Sequence, residues 1–187
     1  MIRKIKKYKI SVRPFGVLRQ FKKQLPPGAA QEPPEAEVEA IIARVQPHVT
    51  PCALYASYSK SETPAALQEL WKSSPEKSLT LSVIAATIGS AVESVIERDA
   101  LWNSVARESL EQSFNFVEKL ISEEAVDESC ELTSLLPASA EKAGPLLQAL
   151  ESHKADIIVN DSGQVIPLFT GLRYCFWTPL RGKNAKK

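Results

Sequence analysis

Apolar and polar positions alternate near the start of the chain, where Ile5, Tyr8, Ile10 and Val12 lie close to every second place in KIKKYKISV. That spacing predicts an edge strand flanked by lysines, which keep such an edge from pairing with other chains. Arg13-Pro14-Phe15-Gly16 turns the chain, and Val17, Leu18 and Phe21 predict a short helix. A stripe of Val38, Ile41, Ile42 and Val45 predicts a helix over 35–46, with acids in its first turn and Pro47 at its end. CALYASYS (52–59) reads as a buried strand. Leu67, Leu70 and Trp71 share one face of a helix that Thr63-Pro64 can start, threonine as cap and proline in the first turn. LTLSVIAATIGS (79–90) is the clearest core strand. Helices follow over 90–98 and 100–122, the second striped by Trp102, Ala106, Leu110, Phe114, Val117 and Ile121, and SEEAVDES reads as an acidic exposed loop.

The C-terminal unit, 129–179, has a turn-rich entry, a helix over 139–151 and strands near 155–160, 164–169 and 171–177. Asp161-Ser162-Gly163 marks a hairpin turn between the first two strands. Strands and helices mix without regular βαβ alternation, so the expected class is α+β, a single domain with a mixed or antiparallel twisted sheet and packed helices. The predicted organisation is a basic strand and short helix over 1–24, a proline-rich connector over 25–34, a core over 35–180 and a disordered basic tail over 181–187.

Composition narrows the function classes. With 187 residues, 44% hydrophobic and 24% charged, the chain can bury one substantial core. A net charge of +1 argues against a general nucleic-acid binder, although residues 1–23 hold nine basic side chains and no acid. No run approaches the roughly 18 apolar residues of a membrane span, and the basic start lacks the apolar core of a secretory signal. These features predict a cytoplasmic protein without nucleic-acid or membrane partners. Cys52, Cys130 and Cys175 are odd in number and far apart, hence expected free thiols. No glycine-rich phosphate loop occurs. His48 and Cys52 have a spacing that could serve a metal on a helix, but Pro47 and Pro51 flank them and no further ligands can be named, so no metal site and no catalytic residue is predicted. The carboxylates Glu123, Glu124, Asp127 and Glu128 read as a solvated loop.

Several stretches resemble the activation domain of cobalamin-dependent methionine synthase, in its short stand-alone form. VTPCALYASYS is similar to that family's proline-then-apolar strand. LTLSVIAATIGSAVESVIERD is similar to its strand, Ala-Thr-Leu-Gly turn and helix, with Ala86-Thr87-Ile88-Gly89 as the turn and Asp99 near a usual acidic position. FVEKLISEEA resembles the end of the long helix. IIVNDSGQVIPLFTGLRYCFWTP resembles the C-terminal hairpin, with Asn160-Asp161-Ser162 in place of Thr-Glu-Ser, Pro167 as the proline and Thr170 in place of a serine. The resemblance spans roughly residues 35–180. It implies a domain that binds S-adenosylmethionine (SAM) and presents the methyl donor to an oxidised corrinoid held by a partner. The implied partner is a corrinoid-binding protein, or a methionine synthase lacking its own activation domain.

The family's SAM motif is Arg-x-x-x-Gly-Tyr, and an ungapped walk back from Pro167 places it on 131–136. Glu131 then stands for the arginine, Leu135 for the glycine and Leu136 for the tyrosine, with Ser134 between. An arginine holds a carboxylate through two charge-assisted hydrogen bonds, whereas Glu131 would repel it. Leucine denies the close backbone approach of glycine, and supplies neither hydroxyl nor aromatic face. SAM binding by the usual route is therefore not expected, and a corrinoid would be met only through a partner. Thr87, Gly89 and Asp99 mark a candidate cleft. Adjacent strand residues face opposite ways, so one ring of Phe176-Trp177 is expected to be exposed for partner contact. The alternative reading is a non-catalytic protein-interaction module on the same fold; a weaker one is an enzyme with a different ligand facing Glu131.

Overall fold

Eight antiparallel strands and four α-helices are seen in the computed structural model, which describes residues 1–25, 32–97 and 99–180. The main sheet runs β1 (Arg3–Lys6), β2 (Cys52–Ser59), β3 (Thr80–Thr87), β8 (Thr170–Pro179), β4 (Cys130–Leu132), with β5 (Leu136–Pro137) also on β8. β6 (Ile158–Val159) and β7 (Val165–Ile166) form a separate hairpin. The predicted proline-rich connector falls partly on residues 26–31, and the predicted basic tail on 181–187, both outside the described residues.

Alternation along the strands sorts their side chains onto two covered faces. Leu54, Val83, Tyr174 and Phe176 pack against Leu67, Leu70 and Trp71 of the 3-10 helix Ala65–Ser73, and against Leu146 and Leu147 of α4 (Ala140–Ala149). On the other face Tyr55, Ile84, Ala86 and Trp177 meet Phe114, Val117 and Ile121 of α3 (Ala100–Asp127). A third cluster joins the N-terminal half of α3 to α1 (Pro14–Gln24) and α2 (Glu35–Val45) through Val17, Val38, Ile41 and Trp102. Tyr8 stacks on Phe116 of α3 at 4.3 Å between ring centroids, so the basic N-terminal segment packs onto the cluster between the sheet and α3.

Several elements differ from the expected ones. β1 stops at Lys6, because Lys7 takes a left-handed φ of 57°. α3 continues to Asp127, so most of the expected acidic loop is helical; buried Ile121 and Ala125 hold its last turns to the sheet. The segment after Pro64 winds as a 3-10 helix that Thr63 does not cap. The Thr63 hydroxyl instead donates to the Ser59 carbonyl at 2.8 Å and accepts from Trp71 Nε1 at 3.0 Å. Only Ser90–Ser94 of the expected 90–98 helix is formed, again 3-10, and Arg98 lies outside the described residues. The segment expected as a strand from 155 begins with a 3-10 helix, Ser152–Ala155, and a left-handed Asp156.

Candidate functional site

The residues singled out in the sequence gather at opposite ends of the sheet. At one end Thr80 pairs with Ser59 and Trp177; at the other Thr87 pairs with Cys52 and Thr170. Seven steps along β3 separate them, about 23 Å at strand rise.

At the first end, β4 places Glu131 opposite Thr178 and Leu132 opposite Trp177. Thr133 stitches the strand onward: its N–H donates to the Phe176 carbonyl at 2.8 Å and its Oγ1 accepts from the Phe176 N–H at 3.0 Å. β5 then pairs Leu136 with Tyr174 and Pro137 with Arg173, a register one residue out of step with β4. The stretch 133–135 thus carries a one-residue bulge, a device that bends an edge and re-aims side chains. Glu131 is exposed and lines a hollow of about 490 Å³ with Glu76, Lys77, Thr178, Pro179 and Leu180. Its lining includes two carboxylates and one ammonium. Ser134 and Leu136 are exposed, while Leu135 is half-buried and packs onto the α3-side core. The position that the resemblance gives to glycine therefore holds a side chain with a packing role.

Phe176 and Trp177 correct the expectation of an exposed ring. Phe176 is 0% and Trp177 6% exposed, because helices cover both faces of the sheet where this pair sits. Trp177 Nε1 donates to the Ser82 hydroxyl at 2.7 Å, and Ser82 lies 2.7 Å from the Ser57 hydroxyl. Both rings are core elements, and the basis for a partner contact there is removed.

The second end contains Thr87 and Gly89. The Thr87 Oγ1 donates to the Phe169 carbonyl at 3.3 Å and accepts from the Gly89 N–H at 3.2 Å. Gly89 has a φ of 88°, and a Cβ there would sit 2.0 Å from Thr50 Oγ1, so the turn needs glycine for both conformation and space. Thr87 and Gly89 line a cleft of about 260 Å³ together with Lys6, Lys7, Cys52 and Asp156. Burial pushes the Cys52 thiol above its ordinary value, against the pull of Lys4 and Lys6. Asp99 does not join these residues. Its carboxylate caps α3, accepting from the N–H groups of Leu101 at 2.7 Å and Trp102 at 3.4 Å. No sequence signal marks Lys6, Lys7 or Asp156 here, because a left-handed turn at a lysine or aspartate leaves no periodic signature.

Among the described residues, no group of three or more His, Cys, Asp or Glu is placed to hold a metal ion, and no helix is long and apolar enough to cross a membrane. His48 sits exposed in a 3-10 helix, Gln46–His48. The carboxylate of Glu124, on α3 rather than in a loop, accepts from the Tyr55 hydroxyl at 2.7 Å and pairs with Arg3.

These features define an α+β domain with a curled antiparallel sheet covered by helices on both faces. The same fold occurs in the crystal structure of the MetH reactivation domain bound to AdoHcy, with a TM-score of 0.55 and 9% sequence identity, covering 100% of this chain and 80% of that one. At that identity the likeness shows the fold alone. No family model and no curated protein sequence matches the chain.

Proposed function

We propose that this protein is an accessory domain that docks on a corrinoid-binding protein and supports methyl transfer or reductive reactivation of the corrinoid. The observation that carries this reading is the fold likeness to a methionine synthase reactivation domain along the whole chain. The domain closes over the corrinoid face and excludes water, and the corrinoid belongs to the partner. The partner is a free-standing corrinoid protein or a methionine synthase without its own activation domain. The setting is cytoplasmic, where three buried free thiols stay reduced.

The domain does not itself present SAM by the route that the family resemblance implies. Support comes from the carboxylate at Glu131, the packed side chain at Leu135 and the fixed place of Arg173. That arginine, the only one in residues 129–180, is held by Glu111 on α3. Antiparallel partners share a face, so Glu131 lies on the Thr178 side of the sheet and Arg173 on the opposite side.

Affinity capture from extract of the native cell, read by the visible absorbance of the recovered material, tests the docking role. Recovery of a corrinoid protein is expected. Recovery of unrelated proteins alone would overturn the reading in favour of a non-catalytic interaction module, which the basic segment 1–23 would serve.

A further inference from the structure

We propose that the cleft between the end of β1 and the Thr87–Gly89 turn binds a small phosphate-class oxyanion, held by the ammonium groups of Lys6 and Lys7 and the hydroxyl of Thr50. Neighbouring residues of a strand send their side chains to opposite faces, so Lys6 and Lys7 would ordinarily diverge. The left-handed φ of 57° at Lys7 breaks that alternation, and both lysines line one cleft of about 260 Å³. Such a conformation costs a non-glycine residue on the order of 1 kcal/mol, and strained backbone collects where a site demands it. Gly89 at 88° and Asp156 at 58° line the same cleft, so three left-handed residues converge there from three separate segments.

The walls are fixed before any ligand arrives. The Lys7 N–H donates to the Pro51 carbonyl at 3.1 Å, the Thr50 N–H to the Ile88 carbonyl at 2.9 Å, and the Ile88 N–H to the Phe169 carbonyl at 3.3 Å. Neither Lys6 nor Lys7 forms an ion pair among the described residues. Lys6 and Lys7, with Thr50 and Ser90 beside them, give the hollow two cationic lining residues, a charge that suits a dianion better than a single carboxylate. Asp156 is the opposing carboxylate on the wall, and its charge weakens the binding of a bare anion.

The test is a two-dimensional amide NMR titration of the full chain with inorganic phosphate, against sodium chloride at matched ionic strength. Saturating shifts confined to Lys6, Lys7, Thr50, Gly89 and Ser90 are expected. Lys7→Gly keeps the left-handed turn while removing the ammonium, and should weaken phosphate binding about tenfold, while Asp156→Asn should tighten it. The spectra themselves report whether each variant is folded. Shifts that fail to saturate, shifts spread evenly over the basic residues of 1–23, or an affinity unchanged by Lys7→Gly would overturn the proposal.

Discussion

Arg173 and Glu111 face each other across the contact between β8 and α3, with Nη1 donating to Oε1 at 3.0 Å and a second bond running from Nη2 to Oε2. The guanidinium carbon also lies 4.1 Å from the centroid of the Phe114 ring. This double hydrogen bond holds the Glu111 carboxyl below its ordinary value of 4.5, against the opposing effect of burial. A depressed carboxylate contributes stability above its unfolded value and loses it as pH falls through the folded value. Urea midpoints of the wild type should therefore drop as pH falls below about 4.5 more than those of Glu111→Gln. Because both side chains are partly exposed, Glu111→Gln should cost only about 1 kcal/mol at neutral pH.

SAM and its demethylated product should bind no more tightly than millimolar in a calorimetric titration. Glu131→Arg, on an exposed edge, should leave the unfolding free energy within about 0.5 kcal/mol of wild type, since surface changes of this kind rarely matter more. A micromolar constant for the unaltered protein would contradict the loss of the SAM route at residues 131–136.

Trp177→Phe should destabilise the fold by about 1 kcal/mol, because it removes the indole hydrogen bond to the buried Ser82 hydroxyl, which keeps its bond with Ser57. Urea denaturation followed by circular dichroism measures this. A partner-facing tryptophan would instead leave folding stability unchanged and alter binding alone.

The three thiols should resist modification in the native state. Cys52, Cys130 and Cys175 are buried, and burial, aided by Glu118, pushes Cys175 up to about 12. A disulfide reagent at pH 8 should label all three in denaturant and react far more slowly without it. Rapid native labelling of Cys175 would contradict the placement of β8 in the core.

Gly89→Ala should be costly, more than about 1 kcal/mol, since it meets both an unfavourable φ and the Thr50 hydroxyl. Thermal melting of the variant checks this directly.

What the sequence revealed follows from where its information is local. CALYASYS and the apolar run through Ala86 announce β2 and β3 almost to the residue, because a strand covered on both faces needs such runs. The stripe from Trp102 to Ile121 announces α3, but the acids after it disguise the last turns, which Ala125 anchors in the core. β4 and β5 were illegible, because segments of three and two residues exist only through their pairing with β8. Alternation correctly separates Phe176 from Trp177, yet no local pattern says that α3 and α4 lie over opposite faces at that point. At the candidate sites, Thr87 and Gly89 were found as a strand-to-helix junction, whereas the lysines opposite them come together only through the left-handed turn at Lys7.

Mixing the purified protein with a corrinoid-binding protein loaded with cob(II)alamin, and following the visible spectrum during titration, tests the docking role most directly. The account predicts a saturable spectral change as the domain covers the corrinoid, with or without SAM. A spectrum that stays unchanged, with no complex detected by sedimentation, would contradict it.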